Sequence, residues 1–132
     1  MEKYDIKKFE NYSNKKEREF AEDFHKKRIA FLIVDGKLLL LKNQKLSHFE
    51  WARSIGVSEE EFNNLTRGYV LDGKIVFYKG NFDFDEQVVK DAEDFAEVIK
   101  AECGLSFAGV YAGVVISEGG GIYPPKKHLF DL

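Results

Sequence analysis

The sequence predicts a single α+β domain. Its framework is a mainly antiparallel sheet of about five strands with helices packed on it, in the order α-ββ-αα-ββ-α-β. Three observations lead there. Two Asp-Gly pairs, Asp35-Gly36 and Asp72-Gly73, each lie between runs of β-forming residues, the pattern of a two-residue hairpin turn. An apolar stripe of helical period runs over about Asp85–Cys103. The 132 residues are 44% hydrophobic, enough for one core and too few for two. No Pro- or Ser-rich linker divides residues 28–116, so 1–132 reads as one domain, with residues 1–13 and 119–132 expected to be loosely ordered.

The first element is a helix over roughly Asn14–Lys27. Asn14 and Glu17 have capping-box spacing, and Phe20, Ala21 and Phe24 fall on one face. The stripe is thin, so this helix should lie on the surface of something else. RIAFLIVDGKLLLLKN then reads as a hairpin turning at Asp35-Gly36. Its arms, Ile29–Val34 and Lys37–Leu41, are apolar with almost no alternation, which implies cover on both faces and a central place in the sheet.

Two short helices follow, joined at Gly56. Ser47 with Glu50 and Ser58 with Glu61 are two capping boxes; Leu46/Trp51 and Val57/Phe62 are spaced as their hydrophobic staples. The second hairpin, GYVLDGKIVFYKGN, repeats the first at an offset of 37: Asp35, Gly36, Lys37 and Lys42 match Asp72, Gly73, Lys74 and Lys79. Duplication and convergence on one turn chemistry explain this equally well; that the helices after the hairpins share no pattern leans slightly towards convergence. In the long helix Val88, Ala92, Phe95, Ala96, Ile99 and Cys103 form the buried stripe, with Phe95 at its centre. Asp91, Glu93, Asp94 and Glu97 lie on the other sides, and Gly104 ends it. FAGVYAGVVI is the fifth strand, and a Gly-rich and Pro-Pro tail closes the chain.

Composition excludes several classes. Eleven Gly, two Pro and one Cys rule out collagen-like and disulfide-scaffold chains, and strong apolar content at net charge −3 argues against disorder. Cys103 is alone, the charged amino terminus has no secretory h-region, and no apolar run approaches the roughly 20 residues of a membrane span. A soluble cytoplasmic protein is expected. Residues 59–102 carry five Lys/Arg against twelve Asp/Glu, so the chain lacks a broad cationic footprint for phosphates.

Few residues carry chemistry. His48 stands at a helix start beside Glu50 and Trp51; with Arg67, Tyr69, Tyr78 and Lys79 nearby it could do acid–base work on a phosphodiester. His25, His48, His128 and Cys103 lack metal-ligand spacing, and no metal or cofactor motif is present. Cys103 belongs to the apolar stripe and reads as a small core residue. Gly119-Gly120-Gly121 lacks the strand, helix and Lys-Ser/Thr of a phosphate loop.

Residues 51–69, WARSIGVSEEEFNNLTRGY, superficially resemble the helix-turn-helix of phage-repressor-like DNA-binding proteins. The resemblance rests on Ala52, Gly56-Val57-Ser58 and Arg67-Gly68 and covers under a sixth of the chain. It implies a DNA-binding regulator acting through residues 47–67. The sequence departs from that family where the groove-reading helix would open, on Glu59, Glu60 and Glu61.

The leading expectation is therefore a small binding or regulatory module acting through protein–protein contacts. Arg67, Tyr69, Tyr78 and Lys79 are its binding candidates, resting on exposed aromatics near the second hairpin and an acidic helical face. The alternatives are an enzyme of phosphodiester or nucleotide chemistry using His48 and the DNA-binding regulator. Protein is the expected partner; nucleic acid and membrane are not.

Overall fold

The computed structural model describes residues 15–41, 46–80, 84–116, 122–123, 125 and 127–132. Four helices and eight strands follow in the order α1 (Lys15–Lys27), β1 (Ile29–Val34), β2 (Lys37–Leu41), α2 (His48–Ser54), α3 (Glu59–Asn64), β3 (Arg67–Leu71), β4 (Lys74–Tyr78), α4 (Glu86–Cys103), β5 (Gly109–Ala112), β6 (Val115–Ile116), β7 (Ile122–Tyr123) and β8 (Lys127–Asp131). The α+β class stands, but the main sheet has six strands, ordered β2-β1-β3-β4-β5-β8, and β6 pairs β7 separately. All neighbours in the main sheet are antiparallel except β4 and β5. The parallel pair follows from the 18 residues of α4 between them: a helix that carries the chain back across the sheet delivers the next strand in the same direction.

Local signals were translated directly into backbone. Both turns place their residues at positive φ, 51° and 73° at Asp35-Gly36 and 51° and 74° at Asp72-Gly73, as a type I′ turn requires. Ser47 accepts from the Glu50 N–H, and Ser58 and Glu61 form the full reciprocal box. Asp85 caps α4 by accepting from Val88 N–H, and Gly104 ends it in the left-handed conformation. The Asn14/Glu17 box and the side chains of Phe20, Ala21 and His25 lie outside the described residues; Phe24 is buried.

The sheet separates two apolar layers. Phe31, Ile33, Val70, Ile75, Phe77, Val110 and Ala112 point to the side of Val88, Ala92, Ala96 and Ile99 of α4. On the other side Phe24 of α1 packs with Tyr69, Leu71, Val76 and Tyr78, while Ala52, Val57 and Phe62 of the α2–α3 corner pack on Leu32. The period of 2 along each strand delivers these two sets. Gly68 admits no side chain: a Cβ there would lie 1.8 Å from the Val76 carbonyl oxygen and 2.4 Å from Phe31 Cζ.

Several expectations change. The first hairpin is not wholly central: β1 is, but β2 forms the sheet's edge, with Leu38, Leu39 and Leu40 only half-buried. Apolar residues on both faces report what lies above and below a strand, not what lies beside it. On α4 the stripe is turned by a fraction of a step. Phe95 is half-buried at its flank, whereas Asp91, expected on a polar side, is buried and accepts from Gln87 Nε2 at 3.0 Å. The expected strand 107–116 breaks at Gly113, whose φ is 76°. The tail, expected to be loose, adds β8 to the sheet beside β5.

Candidate functional site

The sheet face opposite α4 brings four of the candidates together. Arg67 and Tyr69 alternate along β3 onto that face, Tyr78 lies opposite Arg67 on β4, and α2 lowers His48 onto them. Tyr78 Oη lies 3.4 Å from His48 Nδ1. The imidazole stacks on Trp51 at 5.8 Å and meets Phe62 edge to face at 5.2 Å between ring centres. Lys79 is not part of the group: its Nζ pairs with Asp85 Oδ2 at 3.2 Å, at the cap of α4.

Three of the four are enclosed and His48 is half-buried. Arg67 is 3% exposed, Tyr69 2% and Tyr78 4%, so the aromatics expected at the surface near the second hairpin belong to the interior. Arg67 is the clasp of the cluster. Its Nη1 donates to the carbonyls of Phe62 at 2.6 Å and Leu65 at 3.5 Å, and its Nη2 donates to the Gly80 carbonyl. The rings of Phe62 and Tyr78 flank its charge, 4.2 and 5.1 Å from Cζ. Carbonyl oxygens and ring faces thus take the place that a carboxylate would fill.

This environment dictates the state of His48. Burial, then Arg67, then Arg28 push its pKa down to about 3, while the Phe31 carbonyl pulls the other way. The imidazole is neutral at pH 7. Desolvation and the two guanidinium groups hold it so. The Tyr78 hydroxyl and Nδ1 face each other as a hydrogen-bonded pair whose direction follows the ring's tautomer. Among the described residues Nε2 is buried without a hydrogen-bond partner. Tyr69 Oη is the second orphan, and burial, reinforced by Tyr78, pushes its phenol pKa up.

Sequence reasoning missed Arg28 and the ring cage. Arg28 Nη2 donates to the Leu46 carbonyl at 3.2 Å and its Cζ lies 5.2 Å from the Phe24 ring centre. The available signal was its even phase with Ala30 and Leu32 on the strand that follows. Trp51 and His48 are both half-buried, and of His48 it is the Nε2 atom that is sealed. The open depression beside α2 is lined by Leu46, Phe49, Glu50, Arg53 and Ser54, not by His48.

Among the described residues the remaining titratable groups make no comparable assembly. His128 Nε2 lies 2.9 Å from Asp131 Oδ1 on exposed β8, its ring against Tyr111. Cys103 is half-buried against the core, and among the described residues no group of three or more His, Cys, Asp or Glu side chains could hold a metal ion. No described helix is long and apolar enough to cross a membrane. Comparison with protein-family models, with curated proteins and with solved structures finds no match to this chain.

Proposed function

We propose that the protein is a binding module that works by protein–protein contact, and that the outer edge of β2 is its contact surface. One observation carries this reading. β2 ends the sheet with Lys-Leu-Leu-Leu-Leu, and among the described residues no strand pairs its outer side. Sheet edges are ordinarily blunted by charge, bulges or proline. The opposite edge, β8, is blunted in that way, with exposed Lys127, His128 and Asp131 and a register shift against β5. β2 pairs with β1 through five unbroken steps and has only Lys37 as a guard. A strand added there would gain main-chain hydrogen bonds and cover half-buried leucines on both faces.

The four clustered candidates then serve the binding surface indirectly, as the framework that seats α2, α3 and β4. The chemistry of His48 gives little support to the phosphodiester alternative: a general base near neutrality needs a reachable nitrogen and a pKa close to 7. The DNA-binding alternative would rest on α3, which has six residues and opens on Glu59, Glu60 and Glu61, carboxylates that phosphates repel.

Leu40→Pro tests the reading. It removes an N–H that points away from β1 and leaves the hairpin ladder whole. Cellular proteins captured by the parent chain should be lost by this variant while its circular dichroism is unchanged. Equal capture by both would overturn the assignment of the edge.

A further inference from the structure

We infer that the strand added at β2 is β2 of a second copy of this chain, running antiparallel about a two-fold axis that passes beside Leu39. The inference rests on the reading of β2 as the contact surface and names its partner. The register follows from backbone geometry. Val34 pairs Lys37 across a two-residue turn, and such flanking residues exchange both hydrogen bonds. Ala30, Leu32 and Val34 of β1 therefore bond to Leu41, Leu39 and Lys37. The other parity of β1 faces β3, as the hydrogen bond from Ile33 N to the Thr66 carbonyl at 3.0 Å attests. Leu38 and Leu40 are the non-bonded positions of the hairpin, so their N–H and C=O groups point outward.

A two-fold axis perpendicular to the sheet allows only pairings of equal parity, because opposed residues in antiparallel strands share a face. Setting Leu38 opposite the partner's Leu40, and Leu40 opposite the partner's Leu38, closes four hydrogen bonds and uses all eight outward groups of the two copies. Shifting the axis to Leu38 would call on Gly36, which the turn holds at φ 73° and withholds from an extended ladder. In the favoured register Leu39 meets its own copy at a non-bonded pair. The half-buried leucines of each face gain leucine neighbours, and the two Lys37 chains lie at opposite ends of the pair, each across from a Leu41. Like charges do not meet.

Five residues a side make a contact about 17 Å long, against roughly 20–30 residues a side in a standard stable interface, so the dimer should be concentration-dependent. Sedimentation across a wide concentration range should show the mass rise from 15.2 kDa towards twice that value. Leu39→Lys, which sets two cations face to face, should hold it at the monomer with the fold intact. In a Cys103→Ser background, Leu39→Cys should give a covalent dimer on mild oxidation and Leu38→Cys should not, because the latter pair lies about two residues apart along the strands. Cross-linking at both positions alike, or a monomer at every concentration, overturns the inference. A monomer whose partner capture is abolished by Leu40→Pro would overturn self-pairing and leave the binding-module reading standing; a monomer without such capture would overturn both.

Discussion

The two hairpins share a turn and differ in depth. Asp35-Gly36 and Asp72-Gly73 have nearly identical backbone angles, and both hairpins have arms that are apolar on both faces. Yet β3 is buried throughout and β4 nearly so, whereas β2 leaves three leucines half-covered at an edge. The difference lies in what each hairpin receives from the rest of the chain. The second hairpin is flanked by β1 and β5, overlaid by α4 on one face and covered by His48, Phe62 and Phe24 on the other. The first has a neighbour on one side only. A hairpin sequence specifies its turn and its twist; its place in the sheet is decided by residues more than thirty positions away.

That contrast can be broken most severely at Gly68, where no space exists for a methyl group between the second hairpin and Phe31. Gly68→Ala should cost more than about 4 kcal/mol and abolish cooperative unfolding, read by near-ultraviolet circular dichroism. A native-like melt would mean that the strands can separate there at little expense. Next, Phe77→Ala should destabilise the protein by about 3–5 kcal/mol, against about 1 kcal/mol for Leu39→Ala at the half-open edge. Urea unfolding of the two variants measures the gap, and equal losses would erase the distinction between centre and edge.

The cover on the second hairpin adds a pH signature. His48 is held at about 3 when folded against 6.5 when free, so below pH 6.5 the unfolded chain takes up a proton that the folded one refuses. Stability should therefore fall as pH drops from 6.5 towards 3, by about 1.4 kcal/mol per unit or about 2 kcal/mol at pH 5. Subtracting the profile of His48→Gln isolates this contribution; a flat difference would show that the imidazole is solvated. The smallest effect separates the turns themselves. Gly36→Ala meets open space and should cost about 1 kcal/mol from its positive φ alone. Gly73→Ala also brings a Cβ to 3.1 Å from the Phe107 carbonyl oxygen and should melt lower still. Identical melting temperatures would mean that Phe107 yields freely.

What could be read in advance was what neighbours in sequence decide. The Asp-Gly turns, the Ser58–Glu61 box and the Gly104 stop each depend on a few consecutive residues, and each stands in the structure. Asp91 was misplaced because periodicity resolves a helix face only to about one residue step, so a carboxylate beside Ala92 can be carried inside. The edge position of β2, the parallel β4–β5 pair and the addition of β8 depend on long-range pairing, which local pattern does not encode. The candidate cluster was legible as a set of residues, since His48, Arg67, Tyr69 and Tyr78 do converge. Its burial was not: tyrosine and arginine are compatible with surface and interior alike, and only the overlying rings of Phe24, Trp51 and Phe62 distinguish the two.

The α4 crossover also sets an order of assembly. Each hairpin closes across a two-residue turn, whereas Lys74 meets Gly109 and Leu32 meets Arg67 only after 35 intervening steps. Loop-closure entropy grows with the logarithm of that separation, and non-local strand pairings slow folding. The two hairpins can form early as independent local units. Their side-by-side docking and the arrival of β5 must then wait for compaction, with α4 supplying the apolar cover that makes the parallel pairing worth its entropy. β8 meets β5 after as few as 15 steps, from Ala112 to Lys127, so these two strands should pair sooner and dock on β4 together. The bare leucine edge, whose hairpin closes across two residues, should be present from the beginning.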